Sequence, residues 1–158
     1  MNEAEFREAA TGAFELHRAG HLDDAEAAYR KILDARPDTP EILQLLGTLL
    51  GQAERLDEAR AILERAVELQ PANADANYNL AECLHRLGKE EDARDAYRDA
   101  IASRPDYAEA AIGLSGLLLA AGDADAAVDV TRAALAHAAA HPPLLGQLGA
   151  SLLEAGRP

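Results

Sequence analysis

Cysteine and histidine are the residues in this sequence of 158 amino acids with the strongest capacity for nucleophilic or metal chemistry. Cys83 is the single thiol, and it lies between Ala81 and Leu84 on the packed side of a predicted helix. A thiol in such an apolar setting is a small hydrophobic side chain rather than a nucleophile. We therefore predict that Cys83 is buried, and a lone cysteine forms no intrachain disulfide.

The histidines include two pairs whose i, i+4 spacing can bind a metal ion on one face of a helix. Gly20 interrupts the predicted helix inside the first pair, and Pro142 follows the second pair where a helix is expected to end. No obvious carboxylate or cysteine completes a tetrahedral set with either pair. We predict surface histidines, no metal site and no cofactor. The pairs are His17 with His21 and His137 with His141.

The sequence lacks the motifs of common catalytic sites. It contains no glycine-rich phosphate loop, no GxSxG nucleophile turn and no HExxH zinc motif. We therefore predict that this chain is not an enzyme.

The composition describes an acidic, helix-forming chain. Hydrophobic residues make up 49% and aromatic residues only 4%, so the core must be built from Ala and Leu, which favour helices. The net charge of −13 repels phosphate backbones and anionic lipids, so nucleic acids and membranes are poor partners. The charged N-terminus is unlike a signal peptide, and no apolar run approaches a membrane span. We expect a cytoplasmic protein, and the bias towards Arg and Ala hints at a bacterial source.

The elements that position these residues are repeated along the chain. Pro37, Pro71 and Pro105 recur at intervals of 34 residues, and the same interval separates columns of small residues and of leucines. These columns divide the chain into units 6–39, 40–73, 74–107 and 108–141, with a partial fifth unit at 142–158. We interpret residues 1–158 as a single domain. The small column is Ala13, Gly47, Ala81, Ser115 and Gly149, and the leucine column is Leu16, Leu50, Leu84, Leu118 and Leu152.

Each unit is predicted to contain two helices joined by a tight turn. In the third unit, apolar residues follow helical spacing over 76–87 and again over 90–103, with Gly88 between them and Pro105 after them. The second unit has Glu54 in place of the turn glycine, so we expect a less relaxed turn there. Small residues in the first helix should let a large residue of the second approach closely. No unit of this size buries its own apolar face, so the units must stack.

The units resemble tetratricopeptide repeats, and the third is the most similar to the repeats of O-linked N-acetylglucosamine transferases and of bacterial multi-repeat proteins. The resemblance covers residues 6 to 156 and implies an all-α, right-handed superhelical α-solenoid of helix-turn-helix repeats. The fourth unit departs from the pattern with Thr131 and Ala139, so its second helix (124–140) is expected to run longer and pack more loosely. The matching residues are Ala81, Leu84, Gly88, Ala93, Tyr97, Ala100 and Pro105.

The resemblance also implies a concave groove lined by the first helix of each unit, which would bind a peptide or a helix of another protein. We hypothesise that the middle stretch, from Tyr78 to Arg86, is the main contact surface because polar, aromatic and charged side chains coincide there. The candidate groove residues are Arg7, Phe14, His17, Gln44, Thr48, Tyr78, Asn79, Glu82, His85, Arg86, Ile112 and Leu119.

Two specific binding modes of the family do not fit the residues present. The carboxylate clamp of chaperone-binding members needs Lys and Arg, and neither frame of this sequence supplies a base. One frame gives Ala10, Phe14, Leu45, Asp75 and Asn79, and the other gives Gln44, Thr48, Asn79, Glu109 and Gly113. The asparagine ladder of the transferase repeats is reduced to Asn79, since its positions hold Thr11, Leu45, Asn79, Gly113 and Gln147.

The leading interpretation is a protein-interaction scaffold or adaptor. The alternatives are a substrate-recruiting module cut from a larger glycosyltransferase, sulfotransferase or hydroxylase, and a self-assembling oligomer. The last residues copy the first helix and turn of another unit and then stop, so we expect the chain to be part of a longer protein. A homodimer that buries Leu145, Leu148 and Leu152 of the C-terminal helix is a further alternative.

Overall fold

The computed structural model describes residues 1–138 and 141–157, and this part of the chain forms nine α-helices and no strand. From α2 onwards the helices follow the 34-residue period, because the second helices begin at positions 22, 56, 90 and 124. The predicted all-α fold of helix-turn-helix repeats is therefore confirmed. The helices are α1 (Glu3–Arg18), α2 (Leu22–Ala35), α3 (Pro40–Gln52), α4 (Leu56–Leu69), α5 (Ala74–Arg86), α6 (Glu90–Ser103), α7 (Ala108–Ala120), α8 (Ala124–His137) and α9 (Pro142–Glu154).

The helices fall into two compact parts of the chain, each of which contains at least two of the 34-residue repeats. These parts are unit 1, Met1–Pro71 with α1–α4, and unit 2, Ala72–Pro158 with α5–α9. None of the helices in the described ranges is long and apolar enough to cross a membrane.

The turn between the two helices of a repeat requires a left-handed residue. Gly20, Gly88 and Gly122 supply it with φ of 81°, 73° and 79°, whereas Glu54 supplies it in the second repeat with φ of 62°. An L-residue with a side chain pays a steric cost in this conformation that glycine does not. The predicted strain of the second turn is therefore confirmed at Glu54.

Small residues of first helices pack against large residues of second helices, as predicted. In unit 1, a Cβ atom built on Gly47 of α3 would lie 2.5 Å from Leu63 Cγ of α4, so the glycine allows the close approach. Tyr29 of α2 and Leu63 are both fully buried. Burial of a side chain of this size stabilises the fold by roughly 1.5–3 kcal/mol.

A network of ion pairs joins α2 to the start of α4 in unit 1. Arg55 Nη1 donates to both carboxylate oxygens of Glu26, at 2.9 and 2.7 Å, and its other nitrogens donate to Glu58. Arg30 donates to Glu26 Oε1 from the other side, at 3.0 and 2.8 Å. Only 17% of the Glu26 side chain is exposed, so the carboxylate that joins the first two repeats is largely buried.

The fourth repeat corrects one prediction. Its second helix does not run longer over the residues described, because α8 has 14 residues like α2, α4 and α6 and its C-cap is Ala138. The next helix limits it: α9 begins at Pro142, and a ring nitrogen of His141 accepts a hydrogen bond from the Leu144 amide. Ala139 and Ala140, the remainder of the predicted helix, lie outside the described residues.

Hydroxyl groups fill the place of the large side chain in this repeat. Thr131 of α8 is fully buried and donates a hydrogen bond to the carbonyl oxygen of Ala127 at 2.8 Å. Its hydroxyl lies 3.3 Å from that of Ser115, which in turn lies 3.2 Å from that of Ser151 on α9. Gln147 also donates to Ser115, at 3.1 Å. These buried groups are all hydrogen-bonded, so Thr131 does not leave an unsatisfied polar atom.

Candidate functional site

The predicted groove residues lie on first helices and reach the surface, whereas Cys83 does not. Cys83 is 3% exposed, which confirms that it is a core side chain. The groove residues that are exposed are Arg7, Phe14, His85 and Arg86, and those that are partly buried are His17, Gln44, Thr48, Tyr78, Asn79, Glu82, Ile112 and Leu119.

Unit 1 contains a cavity of about 390 Å³ between α1 and α3, the unit 1 cavity. His17 forms part of its wall: its Nε2 lies 3.0 Å from Gln52 Oε1 and its Nδ1 lies 3.4 Å from the Tyr29 hydroxyl. Burial raises the pKa of Tyr29 to about 12, so this hydroxyl stays protonated at neutral pH. With Tyr29 donating to Nδ1, the Nε2–H of His17 donates to Gln52. The lining residues are Phe14, His17, Arg18, Leu45, Thr48 and Gln52.

Unit 2 contains a second cavity of about 390 Å³, the unit 2 cavity, between α5, the start of α6 and α7. The Tyr97 hydroxyl donates a hydrogen bond to Glu82 Oε1 at its base. Burial, and then the hydrogen bond to Glu82 and the charge of that carboxylate, raise the pKa of Tyr97 well above its ordinary value. Tyr97 therefore remains a donor at neutral pH. The lining residues are Glu82, His85, Glu90, Tyr97, Ile112, Gly113, Gly116, Leu117 and Ala120.

The two cavities occupy the same positions of the repeat. Five residues that line the unit 2 cavity each lie 68 residues, or two repeats, after a residue that lines the unit 1 cavity. The backbone therefore builds the same recess twice, and the side chains change its chemistry from aromatic and basic to acidic. The equivalent pairs are Phe14 and Glu82, His17 and His85, Leu45 and Gly113, Thr48 and Gly116, and Gln52 and Ala120.

Tyr78 supports the unit 2 cavity from the side. Its ring centroid lies 6.1 Å from that of Tyr97 and 5.0 Å from that of Tyr107. Burial, followed by the charges of Glu82 and Glu109, raises the pKa of Tyr78. The contacts of Tyr78 with these two rings give it a packing role as well as an exposed edge, so substitution of this ring also disturbs the core of unit 2.

Asp75, near the start of α5, accepts hydrogen bonds from two residues that follow α6. Arg104 Nη2 donates to Asp75 Oδ2 at 2.8 Å, and the Tyr107 hydroxyl donates to Asp75 Oδ1 at 3.1 Å. The hydrogen bond from Arg104 is the main reason that the pKa of Asp75 lies below its ordinary value. Asp75, a predicted clamp position, is therefore occupied by an ion pair within unit 2.

Several predicted groove residues lie outside the two cavities, and some cavity residues were not predicted. Tyr97 was assigned to the core and Gly113 to an empty ladder position, although they form part of the base and wall of the unit 2 cavity. The signal that could have found them is the pairing of a large residue with a glycine across neighbouring repeats. The predicted residues that line neither cavity are Arg7, Gln44, Tyr78, Asn79, Arg86 and Leu119.

Within residues 1–138 and 141–157, no three side chains of His, Cys, Asp or Glu are grouped so as to hold a metal ion. His17, which the sequence pairs with His21, forms hydrogen bonds to Tyr29 and Gln52 instead.

Two family models, both described as tetratricopeptide repeat, match this chain. One matches residues 44–108 and 91–143, and the other matches residues 16–68. None of the curated proteins matches the chain.

Solved structures share the fold over most of the chain. The MamA protein has a TM-score of 0.83 at 24% identity, over 96% of this chain and 82% of MamA. YrrB, described as a TPR protein with an unusual peptide-binding site, has a TM-score of 0.78 at 21% identity, over 94% of this chain and 76% of YrrB. The O-GlcNAc transferase of Thermobaculum terrenum, in its K341M form, has a TM-score of 0.77 at 30% identity, over 87% of this chain and 27% of the transferase. The fold class is therefore an all-α helical repeat solenoid.

Proposed function

This chain belongs to the tetratricopeptide repeat family, whose members are protein-interaction scaffolds, and we propose that it binds a peptide or a helix of another protein against its first helices. The observation that carries the proposal is the recurrence of one open cavity, at the same repeat positions, in both units. Each cavity combines apolar walls with a few polar groups, which is the usual composition of a ligand site. YrrB, a structural neighbour, is described by its peptide-binding site and supports the same function.

Residues of both cavities would contribute to binding. In unit 1, Phe14 is 42% exposed and Arg18 lies 5.9 Å above its ring, so this aromatic edge can pack against an apolar side chain of the partner. In unit 2, His85 is exposed at the rim of the cavity and can donate or accept a hydrogen bond. Aromatic side chains and Arg carry much of the binding energy at protein interfaces.

The proposal is tested by selecting ligands for the full chain from a phage-displayed library of random peptides. Selected peptides are synthesised with a fluorescent label, and their affinities are measured by anisotropy for the wild type, Phe14→Ala and His85→Ala. We expect at least one of these two variants to weaken each selected peptide by about ten-fold, since truncation of a contributing interface residue costs more than about 1 kcal/mol.

Asp99→Ala and Arg132→Ala serve as matched controls because these residues are exposed on second helices, away from the cavities. We expect both controls to bind like the wild type, and circular dichroism verifies that all four variants are folded. The proposal fails if no peptide is enriched, or if the enriched peptides bind the cavity variants as tightly as the controls.

A substrate-recruiting module of a larger enzyme is the second candidate. It is favoured by the 30% identity to the O-GlcNAc transferase, of which this chain covers only 27%. Under this candidate the chain performs the binding and the chemistry lies elsewhere in the longer protein. Sequencing the gene beyond codon 158 distinguishes it: a glycosyltransferase, sulfotransferase or hydroxylase domain in the same frame supports it, and a stop codon contradicts it. Sedimentation over a range of concentrations tests the remaining candidate, self-assembly.

A further inference from the structure

The acidic groups of the unit 2 cavity have no cationic partner in the part of the chain that the structure describes. Three carboxylates elsewhere in the chain, Glu26, Glu58 and Asp75, are each paired with an arginine of the chain. Among residues 1–138 and 141–157, Glu82 accepts a hydrogen bond from the neutral Tyr97 hydroxyl, and Glu90 at the rim forms no ion pair. The cavity therefore holds two carboxylates that form no ion pair with a described arginine or lysine.

One of these carboxylates, Glu82, also affects a neighbouring side chain. After burial, the charges of Glu82 and of the nearby Glu109 are the groups that raise the pKa of Tyr78. Tyr78 does not itself line the cavity, so the charge of Glu82 also acts on a side chain beside the lining. A cation near Glu82 would relieve the field.

The opposite wall of the cavity is apolar and has space close to the backbone. Ile112, Leu117 and Ala120 of α7 form this wall, and Gly116 leaves a shallow channel beside them. A Cβ built on Gly116 would have no neighbour within 4 Å, so the channel is open there. A long side chain with an apolar stem and a charged tip matches this arrangement, since its methylene groups can pack on the wall while its tip reaches the carboxylates.

We propose that the unit 2 cavity is a subsite for an arginine side chain of the bound peptide, a proposal that rests on the function proposed above. The guanidinium group donates to Glu82 at the base and to Glu90 at the rim, and the stem lies against Ile112 and Leu117. Arginine fits better than lysine because its planar fork can donate to two carboxylates at once and is less strongly hydrated.

The unit 1 cavity provides an internal comparison. At the position equivalent to Glu82 it has Phe14, and Arg18 and His17 also line it, so it contains no carboxylate. A cationic side chain would find no counter-charge there. The arginine subsite is therefore a property of unit 2 alone.

The test uses the full chain labelled with ¹⁵N and a blocked pentapeptide with a central arginine flanked by alanines. The amide signals of Gly113 and Gly116 report binding in unit 2, and those of Gly12 and Gly51 in unit 1 are the reference. We expect saturable shifts at the unit 2 glycines in the millimolar range. Replacement of the arginine by citrulline, which is nearly isosteric but neutral, should weaken binding about ten-fold or more. Lysine should bind with intermediate affinity.

Glu82→Gln and Glu90→Gln should each weaken binding of the arginine peptide about five-fold or more, since each removes one charge and keeps the shape. Glu91→Gln is the matched control, because Glu91 neighbours Glu90 but lies outside the lining, with 92% of its side chain exposed. Equal binding of the citrulline peptide, equal binding by Glu82→Gln, or no shift at the unit 2 glycines would overturn the proposal.

The two proposals can fail separately. If the phage library yields peptides that depend on Phe14 or His85 but contain no enriched arginine, and the pentapeptide does not bind, the peptide-binding function stands and the arginine subsite falls. If the pentapeptide binds at Gly113 and Gly116 but the library yields nothing, the subsite stands and the proposed function falls.

Discussion

The aromatic ring of Tyr97 occupies the space that a side chain at Gly113 would fill. A Cβ atom built on Gly113 would lie 2.5 Å from Tyr97 Cζ and 2.8 Å from its hydroxyl oxygen, distances that real Cβ atoms essentially never show. The absent side chain on α7 and the ring on α6 are thus complementary, and together they bring the Tyr97 hydroxyl to Glu82. The shape of the unit 2 cavity depends on this pair.

We predict that Gly113→Ala destabilises the protein by about 1–2 kcal/mol. Alanine gains up to about 1 kcal/mol over glycine in helix propensity. The added methyl group nevertheless meets the Tyr97 ring, and overpacking of a core costs roughly 1–3 kcal/mol. Urea denaturation followed by far-UV circular dichroism measures the free energy of unfolding.

Gly116→Ala is the matched control for this prediction because it lies one turn further along α7 in open space. It should stabilise the protein by about 0.5–1 kcal/mol. Tyr97→Leu, which introduces the residue that repeat two has at position 63, should reduce the cost of Gly113→Ala. Similar effects of the two glycine substitutions, or additive effects of Gly113→Ala and Tyr97→Leu, would contradict the packing argument.

The turn at Glu54 offers a stabilising substitution. Glu54 has φ of 62°, a conformation that costs an L-residue roughly 1–2 kcal/mol. Replacement by glycine removes this cost, but the greater conformational entropy of glycine in the unfolded state offsets part of the gain in stability. We predict that Glu54→Gly raises the free energy of unfolding by about 0.5–1 kcal/mol. The converse substitution, Gly88→Ala at φ of 73°, should lower it by a similar or larger amount. A loss of stability in Glu54→Gly would show that the side chain contributes more than the turn strain costs.

Glu26 should make the stability of unit 1 depend on acid pH. Burial alone raises the pKa of Glu26, but the hydrogen bonds from Arg30 and Arg55 outweigh it and leave the pKa below the ordinary 4.5. A carboxylate whose pKa falls on folding contributes stability that is present above the unfolded-state pKa and is lost as pH drops through the folded-state pKa. We predict that Glu26→Gln costs about 1–2 kcal/mol at pH 7, in keeping with hydrogen bonds to a charged group.

The difference between Glu26→Gln and the wild type should shrink as the pH falls below about 4.5. Urea denaturation at a series of pH values measures it. Glu64→Gln is the matched control, because the Glu64 side chain is 46% exposed and its ion pair with Arg60 is worth no more than about 0.5 kcal/mol. A difference for Glu26→Gln that stays constant down to pH 3 would exclude this linkage.

The sequence predicted the repeat and its helices because their ends are coded locally. Gly88 and Pro105 act on their own turns, and the 34-residue period appears again in the helix starts. The cavity was harder to predict because its members come from three helices: Glu82 from α5, Tyr97 from α6 and Gly113 from α7. Their residue types alone indicate separate roles, and only the folded structure shows that they share a cavity.

The fourth repeat shows the same limit. Thr131 was a departure from the family pattern, and the sequence alone predicted a longer helix from the absence of proline. The structure instead pairs Thr131 with Ser115, 16 residues away in the chain, and Ser115 in turn with Ser151 on α9. A hydrogen-bonded cluster of this kind depends on the packing of α7, α8 and α9, and no local motif announces it.

The burial of Cys83 makes its reactivity a probe of unit 2. Because the side chain is 3% exposed on the packed side of α5, a thiol reagent reaches it only when unit 2 opens. We predict that Ellman's reagent reacts slowly with the native protein and rapidly in urea, and that the rate in the native protein tracks the change in stability caused by each glycine substitution.

Gly113→Ala lowers the free energy of opening and should therefore speed the reaction. A loss of about 1.4 kcal/mol corresponds to about ten-fold in rate when closing is fast. Gly116→Ala should slow it, and Glu54→Gly in unit 1 should leave it nearly unchanged. Rapid labelling of the native wild type would show that Cys83 is accessible without opening, and equal rates in the two glycine variants would separate the reactivity of this thiol from the packing of Tyr97 against Gly113.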